Sequence, residues 1–234
     1  MFILDPRYLI FALPALLLAF YAQYRVRSAY SRYSRKPNAK GYSGYEAARI
    51  LLRSVNLDHI RVEKAPGKLS DHYDPGKDVL RLSAGVADGR SVASLAIVAH
   101  EIGHAMQDAA NYPPLRLRSG LVPAVRIGSW LGPIVFLAGF FLSGFTGSTV
   151  IAWIGLFLFA GTVVFALITL PVEFNASKRA QQLLSTYGLA DGQELQETKK
   201  VLDAAALTYI AALAQSLSTL MYYVFLLTGF SRRD

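Results

Sequence analysis

The chain has 234 residues, of which 53% are apolar and only 17% charged; an average soluble domain carries about 25% charged residues, so a single soluble globule is excluded. Cysteine is absent, which excludes a disulfide framework, a thiolate zinc site, an iron–sulfur cluster and a cysteine nucleophile, and the histidines are His59, His72, His100 and His104. The formal net charge of +8, from 24 basic and 16 acidic residues, points to an anionic partner, either nucleic acid or a lipid surface.

The first element in chain order is Tyr8–Tyr24, a charge-free apolar run. It reads as a bilayer-spanning helix, for which about 20 apolar residues suffice. The leader Met1–Arg7 sets one Arg against one Asp, and no A-x-A site follows. The segment is therefore expected to be a retained anchor rather than a cleaved signal peptide. Pro14 inside it is tolerable where neighbouring helices satisfy the freed carbonyl. Arg25–Lys40, rich in Arg, Lys, Ser and Tyr, reads as a surface linker lying on the membrane.

Ser43-Gly-Tyr-Glu46 fits a capping box and opens a helix over Gly44–Val55. His59–Lys64 alternates like a strand, and Ala65-Pro-Gly67 marks a turn. Lys68–Tyr73 and Asp78–Ser83 flank a second turn, Asp74-Pro-Gly76. These segments predict a small antiparallel sheet, with Asp78–Ser83 as an edge able to pair with an extended peptide. A long helix follows over Val92–Ala109, capped by Asp88 or Ser91.

Three further apolar segments complete the chain. Leu121–Ser143 is broken by one charge, Arg126; Thr149–Leu170 is uncharged; Ala204–Phe230 is uncharged but dotted with Ser, Thr, Gln and Tyr. Arg126 reads either as a functional membrane charge or as one that snorkels to headgroups. The last segment reads as a spanning helix or as one packed against the bundle. Arg25–Gly120 holds 16 of the 24 basic residues, and Gly144–Ser148 holds no charge. The positive-inside rule then predicts Arg25–Gly120 and Pro171–Asp203 in the cytoplasm, with the N-terminus and Gly144–Ser148 outside. A fully spanning last segment would put Arg232 and Arg233 outside, a mild violation. The positive charge is thus juxtamembrane and meets anionic lipid headgroups, and nucleic acid is not an expected partner.

The chemistry sits on the long helix, at His100-Glu101-Ile102-Gly103-His104. Residues four apart share one helical face, so the two imidazoles can hold one zinc ion while Glu101 faces the open side and acts on water. Catalytic zinc usually takes three protein ligands. The third is sought among His59, His72 and the carboxylates, of which Glu173 is the best placed. It follows the hairpin of the second and third apolar segments and is expected at a helix start after Pro171. An alternative for Glu173 is a helix N-terminal charge or a pair with Lys178. His72, Tyr73 and Arg179 are the candidate oxyanion donors, and Asp71–Asp74 reads equally well as a hydrogen-bonded turn.

HEIGHAMQ, DHYDP (Asp71–Pro75), RSGLVP (Arg118–Pro123), LPVEFNASKRA (Leu170–Ala180) and AAALTYIAAL (Ala204–Leu213) together resemble the YugP-type bacterial membrane zinc metallopeptidases, over nearly the whole chain. The layout also resembles the wider gluzincin group. The resemblance implies His100, His104 and Glu173 as ligands of one zinc ion per chain and Glu101 as general base. The wider group commonly has Asp four residues after the ligand Glu, where this chain has Ser177. Asn175 is therefore a candidate for orienting one of the histidines.

The expected architecture is an α+β membrane protein of about four transmembrane helices with a small cytoplasmic zincin-like domain, a short antiparallel sheet plus the HExxH helix. Its parts are an anchor (1–24), a zinc-peptidase domain (25–120), a transmembrane hairpin (121–170), a helical region with the third ligand (171–203) and a last membrane helix (204–234). The expected activity is zinc-dependent endopeptidase cleavage at the cytoplasmic face of a bacterial inner membrane. The substrate is a peptide or protein, membrane proteins included, and a homo-oligomer stays open. The alternatives are a non-catalytic metal-binding scaffold or chaperone-like subunit and, last, a transporter with a metal sensor.

Overall fold

The computed structural model describes residues 6–230; the expectations for the leader residues 1–5 and for Arg232 and Arg233 lie outside the described residues. In order come α1 (Pro6–Tyr33), α2 (Gly44–Ser54), β1 (Arg61–Ala65), β2 (His72–Asp74), β3 (Val79–Ser83), α3 (Ala84–Ala87), α4 (Val92–Ala109), α5 (Pro113–Thr146), α6 (Val150–Thr186) and α7 (Gly192–Phe230). Four of these, α1, α5, α6 and α7, are long and apolar enough to cross a membrane by length and composition. The chain divides into two compact units.

One unit takes the chain through Tyr21, Arg116–Leu170 and the stretch from Thr208 on. Its core is aromatic. Phe136 is fully buried and stacks on Tyr223 with ring centroids 4.0 Å apart, and Ala152, Leu156, Phe159, Tyr222 and Leu227 complete the cluster. Glycine lets α5 and α6 touch backbone to backbone, because a Cβ on Gly155 would collide with the Phe136 amide. The Ser218 hydroxyl donates to the Phe11 carbonyl at 2.5 Å and ties α7 to α1. Arg126 stands exposed on α5.

The other unit takes Ala22–Leu115 and Pro171–Leu207. The capping box opens α2 as expected: the Ser43 hydroxyl accepts from the Glu46 amide at 3.2 Å, and the Ser43 amide donates to Glu46 Oε2 at 2.7 Å. Ser91, rather than Asp88, caps α4, accepting from the Ser94 amide at 3.1 Å. The buried face of α2 (Ala47, Ala48, Leu51, Leu52) packs with α4 (Leu95, Val98, Ala99, Ile102) and with Leu183 and Leu184 of α6 in one core.

The sheet is mixed rather than antiparallel, in the order β1-β3-β2. The Asp74-Pro-Gly76 turn does make a β2–β3 hairpin, with Asp74 Oδ1 accepting from the Gly76 amide at 3.1 Å. β1, however, joins the far side of β3 in parallel, Arg61 opposite Val79. The strand expected at the edge, Asp78–Ser83, is therefore central. Its Val79, Leu80, Leu82 and Ser83 are all buried, the run of a strand covered on both faces rather than an alternating one. The edges are β1 and β2.

Three helices outrun their apolar runs. α1 continues through the expected surface linker to Tyr33, because Tyr33 is 4% exposed and, with Ala29 and Tyr30, belongs to the core of this unit. α7 begins at Gly192, twelve residues before the apolar segment. α6 runs unbroken through Pro171, so Glu173 lies within a helix and not at its start. The proline removes only one amide donor, and a continuous helix on both sides absorbs the loss.

Candidate metal centre

His100 and His104 lie one turn apart on α4, ring centroids 4.8 Å apart and nearly perpendicular. The helix is held rigidly from behind: Leu95, Ala96, Val98, Ala99 and Ile102 are all fully buried. Gly103, between the two histidines, is where α6 crosses. A Cβ there would sit 2.6 Å from the Ala176 carbonyl oxygen, so only glycine admits the helix that carries Glu173 this close. Glu173 is 2% exposed, and its Oε2 lies 3.2 Å from His100 Nε2 and 3.6 Å from His104 Nε2.

These residues fit zinc. The ligand atoms of His100, His104 and Glu173 all lie within 4.8 Å of one another. Ligands at zinc's ordinary bond lengths and tetrahedral angles stand about 3.3 Å apart, close to both measured separations. Two imidazole nitrogens and one carboxylate oxygen are a usual catalytic donor set that leaves a position open. A carboxylate buried this deeply also needs positive charge or hydrogen bonds to offset its desolvation.

Glu101, half-buried, accepts at Oε2 from the Tyr73 amide of β2 at 3.1 Å. Burial lifts its carboxyl above the ordinary range, against the opposing pull of His100 and His104. Burial pulls the His104 imidazolium down, but Glu173 and Glu101 more than offset that and leave it raised.

The ring nitrogens that face away from Glu173 also have partners. His100 Nδ1 lies 3.2 Å from the Ser177 hydroxyl, so the position where the wider group has Asp does meet the imidazole. His104 Nδ1 lies 3.0 Å from Oε1 of Gln107. Gln107 is fully buried and donates through Nε2 to the Val172 carbonyl at 2.8 Å and to Asn175 Oδ1 at 2.9 Å. Asn175 thus reaches His104 only through Gln107. The sequence reading missed Gln107, although its place three residues after His104 on the same helical face was a usable signal.

The structure distributes the other expected residues differently. The Tyr73 hydroxyl lies 3.1 Å from Asp108 and 3.3 Å from Asp78; burial, then those carboxylates, pushes its phenol well above its usual range. Arg179 donates from Nε to Asn175 Oδ1 at 2.8 Å. His72 is exposed, with Nδ1 2.8 Å from the Ser70 carbonyl oxygen, and it projects from the face of β2 opposite to Tyr73. His59 is exposed in the turn before β1. Asp71 lies just before β2, away from the Asp74–Gly76 turn, and accepts from the Ser83 amide at 2.7 Å at the open end of the hairpin.

A family model described as "Putative neutral zinc metallopeptidase" matches residues 8–228. The chain is 42% identical over 217 residues to the "Putative membrane protease YugP" of Bacillus subtilis (strain 168), covering 93% of this chain and 95% of that one. No solved structure matches.

Proposed function

This chain belongs to the family of neutral zinc metallopeptidases whose model spans it, and on that premise we propose that it is a membrane-bound zinc endopeptidase acting at the cytoplasmic surface of a bacterial inner membrane. The observation that carries this reading is the convergence of the His100, His104 and Glu173 ligand atoms within 4.8 Å. Glu101 stands one residue along from the first of them, close enough for its carboxyl to feel all three.

Zinc, when bound, supplies Lewis acidity that polarises the scissile carbonyl and makes water nucleophilic at neutral pH. His100, His104 and Glu173 hold the ion. The Glu101 carboxylate accepts a proton from the attacking water and returns it to the leaving amine. The Tyr73 amide fixes one oxygen of that carboxylate and leaves the other to work.

The substrate enters as an extended strand along β2. The Tyr73 amide points at Glu101, so in the antiparallel pairing of Tyr73 with Leu80 it points away from β3. The Tyr73 carbonyl shares that free side and, with the amide committed to Glu101, is the β2 group left to accept from a peptide amide; a peptide bound there lies beside Glu101. Recognition then rests on main-chain hydrogen bonds, with pockets for alternate side chains. The cytoplasmic assignment is supported by the basic residues that flank the apolar segments.

The test is purified wild type beside Glu101→Gln and Glu173→Ala. Glu101→Gln is expected to keep zinc and lose about 10²–10⁴-fold in peptide cleavage. Glu173→Ala is expected to lose zinc. Undiminished cleavage by Glu101→Gln overturns the reading.

A further inference from the structure

We propose that Gln107 is a positioning residue, and that a hydrogen-bond chain from Arg179 through Asn175 and Gln107 sets which nitrogen of His104 carries its proton, leaving Nε2 free for the metal. The proposal rests on the zinc-site reading above and adds the device that prepares one ligand for the ion.

The direction of each bond follows from two groups that have no choice. The Val172 carbonyl can only accept, and the Nε of Arg179 can only donate. Because Val172 accepts at 2.8 Å, the Gln107 atom facing it is the amide nitrogen. Because Arg179 donates at 2.8 Å, the Asn175 atom facing it is the carbonyl oxygen. That same oxygen takes the second hydrogen of the Gln107 nitrogen at 2.9 Å. Both amide hydrogens of Gln107 are then committed. Its remaining polar atom, Oε1, is an acceptor, and it lies 3.0 Å from His104 Nδ1. Nδ1 therefore holds a proton, and in the neutral imidazole that a metal requires the lone pair sits on Nε2, the nitrogen 3.6 Å from Glu173 Oε2.

The chain is built rather than incidental. Gln107 has no exposed surface, and it spans α4 to α6 by contacting Val172 and Asn175, residues three apart on one face of α6. A buried glutamine with a missing partner would be costly, so a fully engaged one is strongly oriented. His100 is treated differently. Its Nδ1 meets the Ser177 hydroxyl, which can give or take a proton, so that contact alone imposes no tautomer. Such partners of a ligating imidazole typically change metal affinity 10–100-fold when removed.

The experiment measures zinc affinity of the full chain in detergent, by chelator competition, for wild type, Gln107→Leu, Asn175→Leu and Asn175→Asp. Asn175→Asp keeps an oxygen that accepts from both Gln107 and Arg179, whereas Asn175→Leu keeps none. Gln107→Leu and Asn175→Leu are expected to weaken zinc binding about 10–100-fold, and Asn175→Asp to stay within about threefold of wild type. Nitrogen-15 histidine NMR of the zinc-loaded wild type is expected to find the His104 proton on Nδ1. Wild-type affinity in both leucine variants, or equal losses in Asn175→Asp and Asn175→Leu, overturns the chain. Absence of zinc binding by wild type instead overturns the zinc-site reading. If Gln107→Leu does not fold, the Asn175 pair alone decides.

Discussion

The amide of Tyr73 donates to Glu101 Oε2 at 3.1 Å while the hydroxyl of the same residue lies 3.1 Å from Asp108 Oδ2. One residue of the edge strand therefore grips α4 at two points, two turns apart. The first grip is main chain and survives side-chain substitution. Tyr73→Phe removes only the second, leaving Asp108 without that donor. A hydrogen bond to a charged group contributes about 1.5 kcal/mol to stability, which bounds the fall in cleavage by Tyr73→Phe at about tenfold, reached if the whole contribution serves to hold Glu101 in its reactive position. Zinc content should not change. Parallel steady-state kinetics and metal analysis check this, and a loss of zinc would show that Tyr73 acts on the ligands and not on Glu101.

The close crossing at Gly103 gives a sharper substitution. An alanine Cβ would meet Ala176 backbone at 2.6 Å, and backbone cannot swing aside. Gly103→Ala should destabilise the protein by about 1–3 kcal/mol and weaken zinc binding as Glu173 is carried outward. Thermal unfolding with and without a chelator measures both effects. Unchanged zinc affinity would place the crossing's tolerance well above what the distance implies.

Substrate pairing along β2 predicts a main-chain signature. In a set of cleavable peptides, N-methylation at one alternating set of amides near the scissile bond should abolish cleavage, and at the other set should leave it nearly intact. Side-chain replacement at the same positions should matter less. Uniform tolerance of N-methyl groups would remove β2 from substrate binding.

The capping box of α2 carries a pH dependence whose sign is fixed. The Ser43 amide, then its hydroxyl and Arg90, hold the Glu46 carboxyl below its ordinary value. The unfolded chain therefore binds the extra proton. The stabilisation is complete above the unfolded value of about 4.3 and is lost as pH falls through the lower, folded one. Glu46→Gln can still accept from Ser43 but does not titrate. Its melting temperature should fall less than that of wild type between about pH 6 and about pH 3. Equal falls would assign the acid sensitivity to other groups.

How much of this could be read from the chain follows from how local each signal is. The capping box and α4 are written within a few neighbouring residues, and the structure has them where expected. The pair His100 and His104 is equally local. Glu173 lies 69 residues beyond His104, and its nomination needed the membrane hairpin as a topological argument. The parallel pairing of β1 with β3 left one trace, the unbroken apolar character of Val79, Leu80 and Leu82, which alternation-based reading passes over. The ends of α1, α6 and α7 were hidden because helices continue past their apolar runs wherever amphipathic residues find a core. Gln107 and Ser177 are ordinary surface-type residues in sequence; Gln107 meets His104 along its own helix, but its α6 partners Val172 and Asn175, and the meeting of Ser177 with His100, come only from the crossing at Gly103.

Ser177 and Gln107, the residues behind the two imidazoles, are both uncharged. A divalent cation among His100, His104 and Glu173 would therefore be balanced by two carboxylates, those of Glu173 and Glu101, and the loaded pocket would be electroneutral. An aspartate in the place of Ser177 would leave it one unit negative and would drain electrophilicity from the ion. With two neutral supports, the pocket keeps the full pull of the cation for a peptide carbonyl, and it gains no net attraction for positively charged side chains next to the bond being cut.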